Sequence, residues 1–203
     1  MKNIVLLISA VFVLTSCVGK YVEVRLLPSD SDDNYYEDEK ANISEINQFN
    51  NIEVIDNRNN QELIGTKEYG EESMEIVNSQ DLADLIKEEI IGNLQANNQM
   101  IHPSQTLRIT LETIKYNSQR GFLIGKSRVK ISLKAVLTEN NNHTKYGKMY
   151  NLENERSHFI ISLERTDQKT ISAALRDVID RIIEDGKLQE SLIDPENSIE
   201  NEQ

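Results

Sequence analysis

Arg128-Val129-Lys130-Ile131-Ser132-Leu133-Lys134-Ala135-Val136-Leu137-Thr138 decides the fold of this chain. Val129, Ile131, Leu133, Ala135 and Leu137 fall on one side of a two-residue alternation, and Arg128, Lys130, Ser132 and Lys134 on the other. An apolar/polar period of two marks a strand buried on one face only, which is the habit of antiparallel sheets. The stretch from Thr106 to Tyr116 does the same, with Leu107, Ile109 and Leu111 set against Arg108, Thr110 and Glu112. Glu139-Asn140-Asn141-Asn142 then predicts a hairpin turn into a third strand around Tyr146 to Leu152. On the N-terminal side, Ser79 is a predicted N-cap and Asp81 suits the positive end of a helix dipole. Leu82, Leu85, Ile86, Ile90 and Leu94 trace a helical stripe to about Asn97. Before that helix, Asn51 to Asp56 reads as a strand, Asn57 to Asn60 as a turn, and Glu62 to Lys67 as a short return strand. On the C-terminal side, Thr166 or Asp167 is expected to cap a second helix carrying Ile171, Ala174, Leu175, Val178, Ile179 and Ile182, with Gly186 placed to terminate it. One apolar face per strand and one stripe per helix predict an α+β domain: an antiparallel sheet of about four strands with two amphipathic helices on one face, in the order β-α-β-β-β-α.

The ends of the chain have another character. Met1-Lys2-Asn3 precedes an apolar run from Ile4 to Leu14, then Thr15-Ser16-Cys17. A basic start and about 11 apolar residues, against the roughly 20 needed to span a bilayer, read as a signal peptide over residues 1–16. Leu14-Thr15-Ser16-Cys17 resembles a bacterial lipobox, which implies that Cys17 is lipid-modified and becomes the first residue of the mature protein. More than one acyl chain is what stable anchoring needs. Val18, a non-acidic residue after the anchor, implies by the same resemblance passage to the outer membrane. Cys17 is the only cysteine, so neither an intramolecular disulfide nor a cysteine-based metal site is expected. Residues 17–45 are expected to hold the lipidated Cys17, a short strand over Tyr21 to Leu27, and an acidic tether in which seven acids from Asp30 to Glu45 face Lys40 alone. A globular domain over 46–190 and an acidic flexible tail over 191–203 complete the expected organisation.

Among 203 residues, 34 acids against 22 Lys and Arg give a formal charge of −12, which disfavours nucleic acid as a partner. The strand ending Val54-Ile55-Asp56-Asn57-Arg58, the following Leu63-Ile64-Gly65, the helix after Ser79, the three strands and the last helix together resemble YajG-type lipoproteins across roughly residues 45–192. Asp56, Arg58 and Gly65 form the most specific piece. The resemblance implies a small α+β outer-membrane lipoprotein with non-enzymatic partner or scaffolding roles, and brings no residues with assigned chemistry.

No catalytic pattern emerges. Gly121-Phe122-Leu123-Ile124-Gly125-Lys126-Ser127 has three residues between its glycines where a phosphate loop needs four, and no helical stripe follows Ser127. His102, His143 and His158 lack the i, i+4 spacing of a metal pair, and there is no Gly-x-Ser-x-Gly elbow. Neither metal nor cofactor is expected. Asp56 and Arg58 are explained with fewest assumptions by an aspartate capping its own turn beside a locally paired arginine. One feature stands out from the rest. From Gln105 to Thr138, Arg108, Lys115, Arg120, Lys126, Arg128, Lys130 and Lys134 meet only Glu112, a local charge of +6. The solvent face carrying Arg108, Lys126, Arg128, Lys130 and Lys134 is a candidate platform for an anionic envelope component or envelope protein. Alternatively it is a solvated strand face that deters edge pairing, or one covered by the acidic segments. The expected function is that of a periplasm-facing, membrane-anchored binding or assembly accessory. Its rivals are a docked subunit of a lipid or lipopolysaccharide transport machine, marked by an apolar patch, and an envelope hydrolase, marked by a pocket of convergent polar groups.

Overall fold

The computed structural model describes residues 21–24, 26, 51–120, 124–139, 143–159 and 164–192. The leader, Cys17, residues 27–50 with the acidic run, and the tail from 193 lie outside the described residues. Seven strands form one sheet: β1 (Tyr21–Val24), β2 (Ile52–Asp56), β3 (Leu63–Tyr69), β4 (Glu72–Asn78), β5 (Gln105–Arg120), β6 (Ile124–Glu139) and β7 (Thr144–Phe159). Helix α1 (Leu82–Ala96) lies between β4 and β5, and α2 (Glu164–Ile183) and α3 (Gly186–Leu192) follow β7.

The half of the sheet with the clearest alternation is the antiparallel meander β5-β6-β7, three strands of 16 residues. The other half departs from the expected all-antiparallel sheet of about four strands. β1 runs parallel to β4, β4 antiparallel to β3, and both β2 and β3 run parallel to β5. The segment from Glu62 does not fold back on β2. β2 pairs with Leu107–Leu111 and β3 with Tyr116–Arg120, so the two lie end to end along one edge of β5, and Asn57–Asn60 steps out and back between them. β4 escapes a reading by alternation because Ile76 is its only buried apolar residue. Gly70, with a φ of 62°, supplies the positive dihedral that turns β3 tightly into β4.

The inward side chains of the sheet meet the helices on one face. Leu82, Ile86, Ile90 and Leu94 of α1 pack over β2 and against α2, while Ile171, Leu175, Val178, Ile179 and Ile182 of α2 cover β6 and β7. Each such fully buried aliphatic side chain contributes about 1.5–3 kcal/mol. Helix boundaries differ from those expected. Asp81, not Ser79, caps α1: its Oδ1 accepts from the backbone N–H of Ala83 at 2.8 Å and Asp84 at 3.3 Å. Asp167 does not cap α2 but lies inside it, with its side chain buried against the sheet. Gly186 opens a third helix, which Asp185 caps by accepting from the N–H of Lys187 and Leu188, and Leu188 and Leu192 bury that helix in the core.

At the other end of the chain, β1 is an integral edge strand with Val24 and Leu26 buried. The acidic stretch after it therefore joins β1 to β2. Three residues, 18–20, separate Cys17 from β1, the short strand expected there, and the acidic tether expected after it lies outside the described residues.

Candidate functional site

The step between β2 and β3 is built around Arg58. Its Nε donates to Asp56 Oδ1 at 2.8 Å and Oδ2 at 3.1 Å, and its Nη2 to Asp56 Oδ2 at 2.6 Å. Nη1 reaches the carbonyl of Leu63 at 2.9 Å, and Nη2 that of Gln61 at 2.5 Å. The Arg58 N–H also donates to Asp56 Oδ1. Both side chains are almost fully buried, at 6% and 7% exposure. The planar guanidinium thus ties the end of β2 to the start of β3, and most of its hydrogen-bonding capacity is spent inside the protein. Gly65 completes the step. A Cβ built on it would lie 1.8 Å from the carbonyl oxygen of Tyr116, so the return onto β5 needs a residue without one.

β5 answers the step with a bulge between Leu111 and Thr113. The extra residue, Glu112, changes which side chains point inward, from Leu107, Ile109 and Leu111 before it to Ile114, Tyr116 and Ser118 after it. Opposite the step the sheet's solvent face opens into a groove of about 730 Å³. Asn57–Asn60 and the start of β3 form one wall, Thr113, Lys115 and Asn117 the floor, and Arg128 and Lys130 with Glu153 the other wall. The groove therefore joins two features that are separate in sequence: the Asp56/Arg58/Gly65 step and part of the basic run.

The five platform residues all face solvent on this side of the sheet, but they are not equivalent. Arg108 is bridged to Glu53 at 2.8 Å. Arg128 is bridged to Glu155 at 2.6 Å and lies 3.8 Å from Glu153. The hydrogen bond between Arg128 and Glu155 pushes the arginine pKa up and the glutamate pKa down. Lys126, Lys130 and Lys134 have no ion-pair partner among the described residues, and neither does Lys115. Acids gather at the other side of the same face, where Glu23, Glu62, Glu75 and Asp81 surround a depression beside β1 and β4.

Two clusters escaped the sequence reading. Between sheet and α2, Asp167 accepts from Lys67 Nζ and from the Tyr116 hydroxyl, the latter at 2.6 Å, with all three residues buried. Burial and the Asp167 carboxylate push the Tyr116 pKa up. Parity from Ile64 points to Thr66 rather than Lys67, because the register of β3 shifts between Leu63 and Gly65, and the bulge on β5 hides Tyr116 in the same way. At the opposite end, Asp185 accepts from Lys148 at 2.5 Å, Lys148 sits 4.8 Å from the Tyr150 ring centroid, and the hydroxyls of Tyr150 and Tyr146 meet. The bond from Lys148 is the chief reason the Asp185 pKa falls to about 2.

His102 is hydrogen-bonded to Ser104 and His143 is exposed, while the His158 side chain lies outside the described residues. Among the described residues no group of three His, Cys, Asp or Glu is placed to hold a metal ion. Gly125-Lys126-Ser127 belongs to strand β6 rather than to a loop opening a helix, and residues 121–123 lie outside the described residues.

Fold and surface define a small α+β domain in which, among the described residues, helices cover one sheet face and nothing covers the other, polar one. Among the described residues no helix is long and apolar enough to cross a membrane. Residues 37–192 match the Lipoprotein_16 family, described as "Uncharacterized lipoprotein", and the chain belongs to that family. Two solved structures are similar to it. A minor lipoprotein from Acinetobacter baumannii is 13% identical, with 68% of this chain and 90% of that chain covered, at a TM-score of 0.33. A protein from Caulobacter crescentus CB15 assigned as a lipoprotein is 9% identical, with 73% and 94% covered, at a TM-score of 0.34. No curated protein matches the chain.

Proposed function

We propose that this lipoprotein is of the YajG type and is acylated on Cys17. On this reading it holds its domain close beneath the outer membrane, on the periplasmic side, and works without catalysis as a binding or envelope-assembly accessory. The observation that carries the reading is the polar sheet face that no described element covers, with Lys130 and Lys134 of β6 in no ion pair among the described residues, in a lipoprotein whose strand β1 begins four residues after the lipobox cysteine. The large exposed apolar side chains favour a free accessory over a docked subunit. Among the described residues, Tyr21, Ile55, Met100, Ile124 and Met149 are dispersed over several elements.

Mass spectrometry of the N-terminal peptide from native membranes tests the anchor: a diacylglyceryl-modified Cys17 as residue one is expected, and an unmodified thiol or an intact Met1 would overturn it. Crosslinking of the lipidated protein in intact envelopes tests the accessory role. Adducts mapping to β5 and β6 are expected, whereas one stoichiometric integral membrane complex would replace the accessory with the docked subunit.

A further inference from the structure

Lys115 and Lys130 are direct cross-strand partners in the β5–β6 register, both exposed and both lining the groove. Like charges placed opposite each other destabilise a sheet, and this chain has acids to spare, yet none among the described residues bridges either lysine. The neighbouring carboxylates do not bridge them: Glu112 accepts from Asn57 Nδ2 at 3.1 Å, Glu155 is bridged to Arg128 at 2.6 Å, and Glu153, opposite Lys130 in the β6–β7 register, lies 3.8 Å from Arg128 and forms no ion pair with Lys130. Of the groove's other cations, Arg58 spends four of its five guanidinium N–H groups within the step and Arg128 is bridged to Glu155.

The groove has further polar capacity. β2 leaves β5 at Leu111 and β3 joins it at Tyr116, so no strand pairs with the intervening residues of β5 on that edge. The Thr113 hydroxyl and the Asn117 amide, both in the groove, have no hydrogen-bond partner among the described residues. Two ammonium groups, a hydroxyl and an amide suit an oxygen-rich anion. Inorganic phosphate and phosphomonoesters carry about −1.5 to −2 charges near neutral pH and a phosphodiester headgroup about −1; lysine binds either as a point charge, while the hydroxyl and the amide can donate to the remaining phosphate oxygens.

We infer that the groove at the β2–β3 step is a phosphate-binding site in which Lys115 and Lys130 hold one phosphate group between them, on a lipid headgroup or on a small soluble phosphate. The inference rests on reading the open sheet face as a binding surface, but not on acylation of Cys17. The cross-sheet row Tyr21, Glu75, Thr66, Asn117 sets the groove about 14 Å from Tyr21, at roughly 4.8 Å per strand. Tyr21 in turn is within about 14 Å of Cys17 along the chain, which makes the headgroup the nearer source.

The test is an amide NMR titration of the mature chain in dodecyl maltoside at low ionic strength. One arm adds inorganic phosphate, and the other adds dioleoylphosphatidylglycerol to the micelles, with dioleoylphosphatidylcholine as its control. Saturable shifts centred on Thr113, Lys115, Asn117 and Lys130 are expected. The double variant Lys115→Ala/Lys130→Ala is expected to weaken binding roughly tenfold or more, and Lys187→Ala, exposed on α3 away from the sheet face, to change it by less than about twofold. Shifts there with phosphatidylglycerol identify the headgroup, and shifts there with inorganic phosphate alone identify a soluble phosphate; either result supports the site. Shifts spread along β6 and weakened as much by Lys134→Ala would overturn the groove while leaving a binding face. No shift on the face with any probe would overturn the groove, and intact crosslinks to β5 and β6 would then show that the accessory role survives it.

Discussion

Gly65 and Asn98 show how single residues set the path of the chain. With the backbone of Tyr116 occupying the space a Cβ would need, Gly65→Ala must push β3 off β5. It is expected to cost about 3 kcal/mol, at the upper end of overpacking in a closed site, read as a lower urea midpoint with an unchanged slope. Asn98 has room but the wrong backbone, a φ of 52°. It follows α1 in a Schellman arrangement, with the N–H of Gln99 donating to the carbonyl of Leu94 at 2.8 Å and its own N–H to that of Gln95 at 3.0 Å. Asn98→Gly keeps both bonds and removes the left-handed penalty, so a gain of about 0.5–1 kcal/mol is expected by the same measurement.

Elements are joined through the two clusters the alternation did not reveal. Lys67 and Asp167 fasten α2 to β3 with side-chain exposures of 3% and 1%. Lys67→Met leaves a buried carboxylate without its cation and is expected to cost about 3–5 kcal/mol. The triple variant Lys67→Met/Asp167→Leu/Tyr116→Phe, which also removes the hydroxyl bonded to Asp167, should recover most of that loss, because replacing a buried polar cluster by apolar groups is often neutral; thermal unfolding of the single and triple variants decides it. Asp185 fastens α3 to β7. Its folded-state pKa, near 2, lies below the ordinary carboxylate value, so its contribution is fully present above about pH 4 and is lost as pH falls through about 2. Asp185→Asn should therefore lower stability at pH 6 and flatten the acid limb between pH 4 and pH 2. The long strands and both long helices were legible because each carries many repeats of its period. β1, β2, β3 and β4 have four, five, seven and seven residues, too few alternations to show that each of them has a parallel neighbour. The cations of β6 were legible by the same alternation. The groove they border was not, because it depends on a step and a bulge about 50 residues apart meeting on one edge.

At the scale of the molecule, the place of β1 changes what the acidic stretch is for. A coil of about 25 residues between anchor and domain would let the domain wander roughly 25–30 Å. With β1 seated beside β4, the stand-off is set by residues 18–20, and Tyr21 stays within about 14 Å of Cys17. The acidic stretch then runs in sequence between β1 and β2, two strands of the same sheet, and its length should not matter to the distance from the membrane. Two variants separate the arrangements. Deleting Asp30–Glu39 leaves 14 residues between Leu26 and Asn51, still able to reach about 46 Å, while inserting ten Gly/Ser residues between Val18 and Tyr21 lengthens only the stand-off. Energy transfer from a dye on a cysteine introduced at the exposed Lys134 to an acceptor lipid in reconstituted vesicles should be unchanged by the deletion and fall with the insertion. A rise in transfer on deletion would mean that β1 leaves the sheet at the membrane and that the acidic stretch is the tether after all. The same variants bear on the groove, since a headgroup phosphate reaches Lys115 and Lys130 only while the domain is held near the bilayer. Binding of phosphatidylglycerol embedded in vesicles should weaken with the insertion and persist with the deletion.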